Sequence, residues 1–192
     1  MTYPADTIEL TTDRLVLRTI DETFAARCLD YVERNREFFT PWNPLVDESF
    51  YTLDFQAQRL RTDRELLAQD RTLRLWLFHK DDSAQQHIIG DLAFSNIIRG
   101  AFQSCHLGYK TDRGAINHGY MTEALARAIP FAFADMRLHR IEANIMPRNA
   151  RSMRVVEKLG FINEGLSRKY LKIAGAWEDH IHFVLLNPDE DA

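Results

Sequence analysis

The sequence predicts a mixed α/β (α+β) fold in a single domain that spans residues 1–192. Its length suits one domain. Along the chain the hydrophobic period changes repeatedly between two residues, typical of strands, and about 3.6 residues, typical of helices. No internal repeat, low-complexity tract or long linker interrupts this pattern. The predicted order is a strand, two helices, three strands, a helix, a strand, a helix and two strands.

The first third of the chain predicts one strand and two helices. Residues 14–18 (RLVLR) alternate in polarity and predict the strand. Residues 21–38 carry apolar side chains along one helical face and predict the first helix. Two prolines then frame Trp42 in a loop, and residues from about Leu53 to Ala68 predict the second helix.

The middle of the chain predicts three antiparallel strands. Residues 73–78 alternate leucine with other large or charged side chains, so each face of this strand carries side chains that can make contacts. Residues 87–98 and 102–111 predict two further strands, joined at Arg99-Gly100. Together the three segments indicate a meander.

The remaining third returns to alternating helices and strands. Residues 112–129 begin as a polar loop with glycines and continue as an amphipathic helix, which Pro130 is predicted to kink or end. Residues 140–147 predict a strand, and residues 149–160 predict a helix whose last residue is a C-terminal capping glycine. The final two strands are predicted to turn at Ala174-Gly175.

Composition excludes several classes of protein. The net charge of −4 argues against a dedicated nucleic-acid binder, which needs a basic excess. No stretch approaches the roughly 20 apolar residues of a membrane span, and the start MTYPADTIEL lacks the features of a signal peptide. Cys28 and Cys105 have no metal-like spacing and suit reduced thiols. We therefore expect a soluble, cytoplasmic protein without a bound metal.

The loop of residues 113–122 is a candidate anion site. It leads from a predicted strand into a helix N-terminus, where unpaired backbone N–H groups and the helix dipole favour negative charge. Glycines at positions 114 and 119 allow the main chain to approach a diphosphate closely. The alternative is an ordinary strand-to-helix loop, which the spacing alone favours because the common nucleotide-binding motifs are absent.

Asn149 and Ser152 form a second candidate constellation. On a helix, Ser152 shares a face with Val155 and Val156 and needs a hydrogen-bond partner there. Its hydroxyl could bond back to the helix, and Asn149 could be the helix N-cap. Alternatively, both residues line a channel through which a ligand passes the sheet.

Several other polar residues are weaker candidates. Glu142 and Asn144 share one strand face and either reach a substrate pocket or face water. Trp42 is either a substrate wall or a buried loop anchor. His180 and His182 share a strand face, but no third ligand has suitable spacing, so solvent-facing histidines are expected. Ser-His-Asp hydrolysis lacks its G-x-S-x-G elbow.

Taken together, these segments resemble the GNAT family of N-acetyltransferases over essentially the whole chain. The shared stretches are LTTDRLVLR, LGY, INHGYM and MPRNARSMRVVEKLGF followed by EG. Within that family, RNREFFTPWNP, FSNIIRGAFQSCHLGY, HRIEANIMPRN and KYLKIAGAWEDH resemble the ribosomal-protein-alanine N-acetyltransferases, the RimJ type. The resemblance implies a mixed, mostly antiparallel sheet with helices on both faces. It also implies two splayed strands, LGYKT and RIEANI, that receive the pantetheine arm of acetyl-coenzyme A.

The resemblance also implies which residues contact the cofactor. They are Leu107, Gly108, Tyr109, Ile116, Asn117, His118, Gly119, Tyr120, Met121, Thr122, Asn149 and Ser152. The family's pyrophosphate motif [QR]-x-x-G-x-[GA] is altered here. Ile116 replaces Gln or Arg, Met121 replaces a small residue, and Asn117 stands where many members carry glycine. Main-chain donors do most of the binding, so the site can survive these changes.

For catalysis, we expect Ser152 to stabilise or protonate the departing thiolate and a main-chain N–H of LGYKT to polarise the thioester carbonyl. Glu142 and a water relay are both open as the base, and Tyr170 is a pocket candidate. The related RimL-type enzymes use a glutamate near the position of Tyr170, where this chain has no carboxylate. The expected substrate contacts are Trp42, Arg99 and His106.

The expected acceptor is the N-terminal α-amine of a protein starting with Ala or Ser, ribosomal or otherwise. An α-amine has a pKa of about 7.7–8.0, against about 10.4 for lysine, so it needs only a modest base. The alternatives are a small amine such as a polyamine or an aminated antibiotic, and a module that binds coenzyme A without turnover. The expected partner is a protein N-terminus, without nucleic acid or membrane. A monomer and a homodimer are both compatible with the sequence.

Overall fold

The computed structural model describes residues 8–188. Most of the N-terminal stretch that lacks signal-peptide features, residues 1–7, lies outside the described residues. Within the described part of the chain, no helix is long and apolar enough to cross a membrane.

The described residues form one eight-stranded sheet. Its strands are β1 (Glu9–Thr11), β2 (Leu15–Arg18), β3 (Leu73–His79), β4 (Gly90–Ile98), β5 (Ser104–Thr111), β6 (Arg140–Ile145), β7 (Ile162–Ile173) and β8 (Ala176–Leu186). The spatial order is β1-β2-β3-β4-β5-β6-β8-β7. Neighbouring strands run antiparallel, except that β5 and β6 are parallel. The predicted mixed, mostly antiparallel sheet is therefore confirmed.

Helices cover both faces of this sheet. They are α1 (Ala25–Arg34), α2 (Arg36–Phe39), α3 (Leu53–Ala68), α4 (Tyr120–Ala134) and α5 (Ala150–Lys158). Alternation along β3 directs Leu75 and Leu77 into the larger core with α4 and α5. Trp76 and Phe78 point the other way and pack with α1 and α3. The predicted covering of both faces is confirmed.

The sequence predicted most elements, missed one strand and misjudged the extent of one helix. The second helix has the predicted bounds, but β1 was not predicted, because three residues are too few for a periodic pattern. The helix expected over residues 21–38 ends at Arg34 and restarts as α2. Pro130 does not end its helix, which continues to Ala134. Ala128, Ile129 and Ala132 are buried around the proline, and this packing offsets the missing hydrogen bond.

The parallel pair β5 and β6 separates partway along its length. The two strands pair from Ser104 to His106 on β5 and from Arg140 to Glu142 on β6. Beyond these residues both strands continue without pairing to each other. The splayed pair implied by the family resemblance is therefore present.

Asn35 explains why the first helix is interrupted. Its side chain is buried, and its amide donates to the Tyr31 carbonyl at 2.8 Å and to the Asp112 carboxylate at 2.7 Å. Its side-chain oxygen accepts from the Arg113 N–H at 2.8 Å. Arg34 also donates to Asp112, at 2.7 Å. The end of α1 is thus bonded to the loop that follows β5.

Candidate active site

A cavity of about 510 Å³ lies where β5 and β6 diverge. Its walls come from β5, the loop after β5, the first turn of α4, the end of β6, α5 and residues 38–43. Because the strands stop pairing at His106 and Glu142, the cavity reaches the middle of the sheet. Of the predicted cofactor contacts, all but His118 line this cavity.

The loop between β5 and α4 presents backbone N–H groups at one end of the cavity. Asp112 caps its short 3-10 turn by accepting from the Gly114 N–H at 2.7 Å. Asn117 and Gly119 both have left-handed backbones, with φ values of 65° and 78°. Asparagine tolerates this conformation better than other side chains, which explains how it can replace a glycine. Among residues 8–188 no side chain caps the N-terminus of α4, so its first N–H groups are available to an anion.

The charge around this helix N-terminus is positive. The one acidic residue of the first turn, Glu123, accepts from the Thr12 hydroxyl at 2.5 Å and from Arg14 at 2.6 Å. These contacts also lower the pKa of Glu123 against the opposing effect of burial. Three exposed cations of α5, Arg151, Arg154 and Lys158, also line the cavity. Free N–H groups and three cations fit the phosphate groups of coenzyme A.

Ser152 and Tyr109 meet across the opening between the splayed strands. The Ser152 hydroxyl donates to the Tyr109 hydroxyl at 2.7 Å, and the Tyr109 hydroxyl donates to the Ser152 carbonyl at 2.9 Å. The alternative in which Ser152 bonds back to its own helix is therefore wrong. Asn149 is the N-cap of α5 and accepts from the Ser152 N–H at 3.2 Å, while it also lines the cavity.

Glu142 lies two residues before the cavity residue Asn144 on β6, on the face of the sheet opposite to the buried Ile141 and Ala143. One carboxylate oxygen accepts from Arg140 at 2.8 Å. The other lies 3.9 Å from His106 Nε2 and 3.8 Å from His182 Nδ1. Neither Glu142 nor His106 lines the cavity, so a proton would reach this carboxylate only through an intermediary.

An irregular stretch of β7 directs Tyr170 toward β6. Pairing with β8 is interrupted between Ser167 and Leu171, and Lys169 within this bulge has a φ of 51°. The Tyr170 hydroxyl accepts from the Asn144 amide at 3.3 Å. Asn144 lines the cavity, and so links Tyr170 to it.

The histidines of β8 do not face solvent as expected. His180 is buried and lines the cavity, and His182 is half-buried. Both rings pack against Tyr170, with centroids at 5.6 and 4.7 Å. Burial lowers the pKa of His180. The expectation failed because the bulge in β7 turns a large aromatic ring onto this face. Within residues 8–188, no group of three or more His, Cys, Asp or Glu side chains is arranged so that it could hold a metal ion.

Aromatic side chains form the outer wall of the cavity. Trp42 lies beside Phe38 and Phe39, and the Arg148 guanidinium stacks over its ring at 5.0 Å. Arg148 also donates to the Pro41 carbonyl at 3.1 Å and thereby anchors this loop. Trp42 thus forms part of the cavity wall, and the contacts of Arg148 also anchor its loop.

Arg99 lies away from the cavity and does not fit the predicted substrate contact. Its guanidinium donates to Asp70 at 2.5 and 2.6 Å and to the Met136 carbonyl at 2.6 Å. It lines a separate depression at the hairpin between β4 and β5. The sequence places Arg99 near β5 without showing that it lies at the opposite end of that strand from residues 107–111.

Lys110 is a cavity residue that the sequence analysis missed. It is half-buried on β5 and points away from Tyr109, with its ammonium 5.8 Å from the ring centroid of Phe39. Burial lowers the pKa of Lys110 to about 8; Asp91 opposes the shift, and Arg59 adds to it. Only the packing of other elements over β5 reveals this environment, and a strand pattern contains no such signal.

Comparisons with known proteins agree with this geometry. Residues 14–162 match the family model described as an acetyltransferase (GNAT) domain. Over 183 residues, 95% of this chain, the sequence is 42% identical to the ribosomal protein uS5-alanine N-acetyltransferase of Escherichia coli, of which 92% is covered.

Two solved structures share this architecture. The ribosomal-protein-S5-alanine acetyltransferase of Vibrio fischeri superposes with a TM-score of 0.89 and is 35% identical, with 95% of this chain and 98% of that chain covered. The RimJ protein of Mycobacterium smegmatis, in complex with CoA-disulfide, gives a TM-score of 0.86 at 26% identity, with 96% and 89% covered.

The depressed pKa of Lys110 leads to a prediction about stability. Its folded pKa of about 8 lies below the ordinary value of 10.5. Between pH 8 and pH 10.5 the unfolded chain binds more protons at Lys110 than the folded chain does. The free energy of unfolding therefore rises with pH across this window, and the gain is lost as pH falls through 8. We expect Lys110→Met to be more stable than the wild type by about 1–3 kcal/mol at pH 7, with the difference shrinking toward pH 10.5.

Urea denaturation at several pH values measures this difference. Lys80→Met, at an exposed position, is the matched control and should follow the pH dependence of the wild type. A Lys110→Met variant whose stability also follows the wild type at every pH would contradict the prediction.

Proposed function

This chain belongs to the GNAT family of acetyltransferases, and from that premise we propose that its acceptor is the N-terminal α-amine of a protein that starts with Ala or Ser. The chain is an N-acetyltransferase that uses acetyl-coenzyme A. When bound, the cofactor supplies an acetyl group activated as a thioester. The chain's own residues must therefore bind the cofactor, position an amine and stabilise the departing sulfur.

The cavity offers a separate contact for each part of the cofactor. The N–H groups at Gly119 and the following turn would hold the diphosphate, assisted by Arg151 and Arg154. The edges of β5 and β6 beyond His106 and Glu142 have no partner strand between them, so they can pair with the pantetheine amides as an added strand would.

The charge of the cavity is the observation that carries the proposed acceptor class. Among the described residues that line the cavity, none is Asp or Glu, whereas Lys110, Arg151, Arg154 and Lys158 contribute four cations. A polyamine or an aminated antibiotic carries several positive charges and would find no carboxylate among these residues to pair with. An α-amine brings a single ionisable group, a sizeable fraction of which is uncharged near neutral pH.

The relatives support a protein as the source of this amine. The Escherichia coli and Vibrio fischeri proteins are named for an alanine of a ribosomal protein, and they match nearly the full length of this chain. We propose a ribosomal protein as the acceptor here, and hence action in the cytoplasm. The aromatic wall of Phe38, Phe39 and Trp42 offers the first residues of such a chain an apolar surface.

Within this proposal each polar residue has a distinct task. A main-chain N–H of residues 107–111 polarises the thioester carbonyl, and Ser152 donates a hydrogen bond to the departing thiolate. The amine loses its proton through water toward the Tyr170 hydroxyl, which Asn144 holds at 3.3 Å. Glu142, outside the cavity and beside His106 and His182, is the proposed final proton acceptor. Orientation supplies much of the remaining rate enhancement.

The cations of α5 provide a test of the cofactor site. Replacing both arginines, Arg151→Gln with Arg154→Gln, should raise the Kd for coenzyme A roughly tenfold, because two charge-assisted contacts to phosphate are lost. Isothermal titration calorimetry measures this affinity. Arg127→Gln, at an exposed position on α4 outside the cavity, is the matched control and should bind as the wild type does. Equal affinities for the double variant and the control would contradict the assignment.

A panel of acceptors tests the proposed acceptor class. The purified protein is incubated with labelled acetyl-coenzyme A and peptides that differ only in the first residue, and thiol release is recorded. We expect release to rise with free N-terminal Ala or Ser, with mass spectrometry placing the label on the α-amine.

The controls in this panel separate the competing functions. A peptide with a blocked N-terminus and an internal lysine should remain unlabelled. Label confined to lysine, or faster turnover of a polyamine than of any peptide, would overturn the proposed acceptor. Thiol release at background with every amine would indicate a binding module instead.

A further inference from the structure

Two hydroxyl groups bridge the opening between β5 and α5. Tyr109 lies on the part of β5 that pairs with β4 but not with β6, and Ser152 lies in the first turn of α5, which follows β6. The 2.7 Å hydrogen bond between their hydroxyls therefore joins main-chain segments that have separated. Both residues line the cavity. The cofactor's sulfur is proposed to depart beside this pair, so the pair's protons bear directly on the reaction.

The hydrogen-bond directions leave Ser152 without a spare proton. Its single hydroxyl hydrogen points to Tyr109, whose own hydrogen points to the Ser152 carbonyl at 2.9 Å. Ser152 can donate to a thiolate only if its hydrogen turns away from Tyr109. A hydroxyl both donates and accepts, so the 2.7 Å bond can run in either direction. Reversing it moves the single Tyr109 hydroxyl hydrogen from the Ser152 carbonyl to the Ser152 hydroxyl oxygen and releases the Ser152 hydrogen.

We propose that Tyr109 is a positioning residue that donates to the Ser152 oxygen while Ser152 donates to the departing thiolate. In this step the amine forms the new C–N bond, the C–S bond breaks, and its electron pair stays on sulfur. The two hydroxyls keep their protons and spread the charge through a chain of hydrogen bonds, in which each bond strengthens the next. Burial raises the pKa of Tyr109 well above its ordinary value, which keeps the phenol a donor.

This inference rests on the proposed function for the role of Ser152, and a double-mutant cycle tests it. The variants are Tyr109→Phe, Ser152→Ala and the two combined, and kcat, the KM for acetyl-coenzyme A and the Kd for coenzyme A are measured for each. We expect Tyr109→Phe to lower kcat roughly tenfold and Ser152→Ala to lower it further, because a transition-state donor is weakened or removed. The double variant should match Ser152→Ala alone, since Tyr109 acts through Ser152.

Binding and folding controls distinguish positioning from a structural role. The Kd for coenzyme A and the melting temperature of Tyr109→Phe should stay close to wild-type values. Tyr51→Phe, a partly buried position that packs against the core on the other side of the sheet and lies outside the cavity, should retain the wild-type kcat. Independent effects that multiply in the double variant would overturn the proposal, as would a Tyr109→Phe defect confined to KM and cofactor affinity.

A second substitution covers the case in which Tyr109→Phe does not fold. Incorporating 3-fluorotyrosine at position 109 keeps the hydroxyl and nearly the same shape but makes it a stronger donor. We expect kcat to change by about twofold or more at an unchanged melting temperature, because the rate depends on how strongly this hydroxyl donates its hydrogen bond. An unchanged kcat would contradict the proposal. If the wild type ignores N-terminal peptides but acetylates another amine, the proposed acceptor fails, and the same cycle is measured with that amine.

Discussion

The interrupted pairing between β5 and β6 is the constraint on which the rest of the site depends. After His106 and Glu142 the two strands separate, although each continues as a strand. Their facing main-chain groups lose the partners that a sheet normally supplies, which is unfavourable unless another molecule or water occupies the space. The cavity, the approach of Ser152 to Tyr109 and the exposure of the α4 N-terminus all follow from this separation.

The surrounding elements hold this opening in a defined shape. Asn35 and Asp112 bond the end of α1 to the loop that precedes α4, so the acceptor wall and the phosphate end of the cavity share one anchor. Arg14 neutralises Glu123 and leaves the helix N-terminus positive. The phosphate end of the cavity therefore carries N–H donors and cations that suit an anion. Among the described residues that line the cavity, no Asp or Glu is present to pair with a cationic acceptor.

Local patterns in the sequence predicted the elements better than the site. Apart from β1 and the division of the first helix, the order of strands and helices follows from hydrophobic period and was confirmed, as were the bounds of the Leu53–Ala68 helix. The family resemblance, rather than periodicity, implied the splayed strands. Contacts between distant segments were not predictable: the bond that breaks the first helix at Asn35, the meeting of Tyr109 with Ser152, and the burial of Lys110. Each depends on partners far away in the chain, which a local window does not contain.

A crystal structure of the protein with coenzyme A tests the central claim most directly. The account predicts that the pantetheine arm lies between residues 107–111 and 143–145, with its diphosphate at the N-terminus of α4 and its sulfur beside Ser152. Coenzyme A bound elsewhere on the surface, with these strands closed into a continuous ladder, would contradict it.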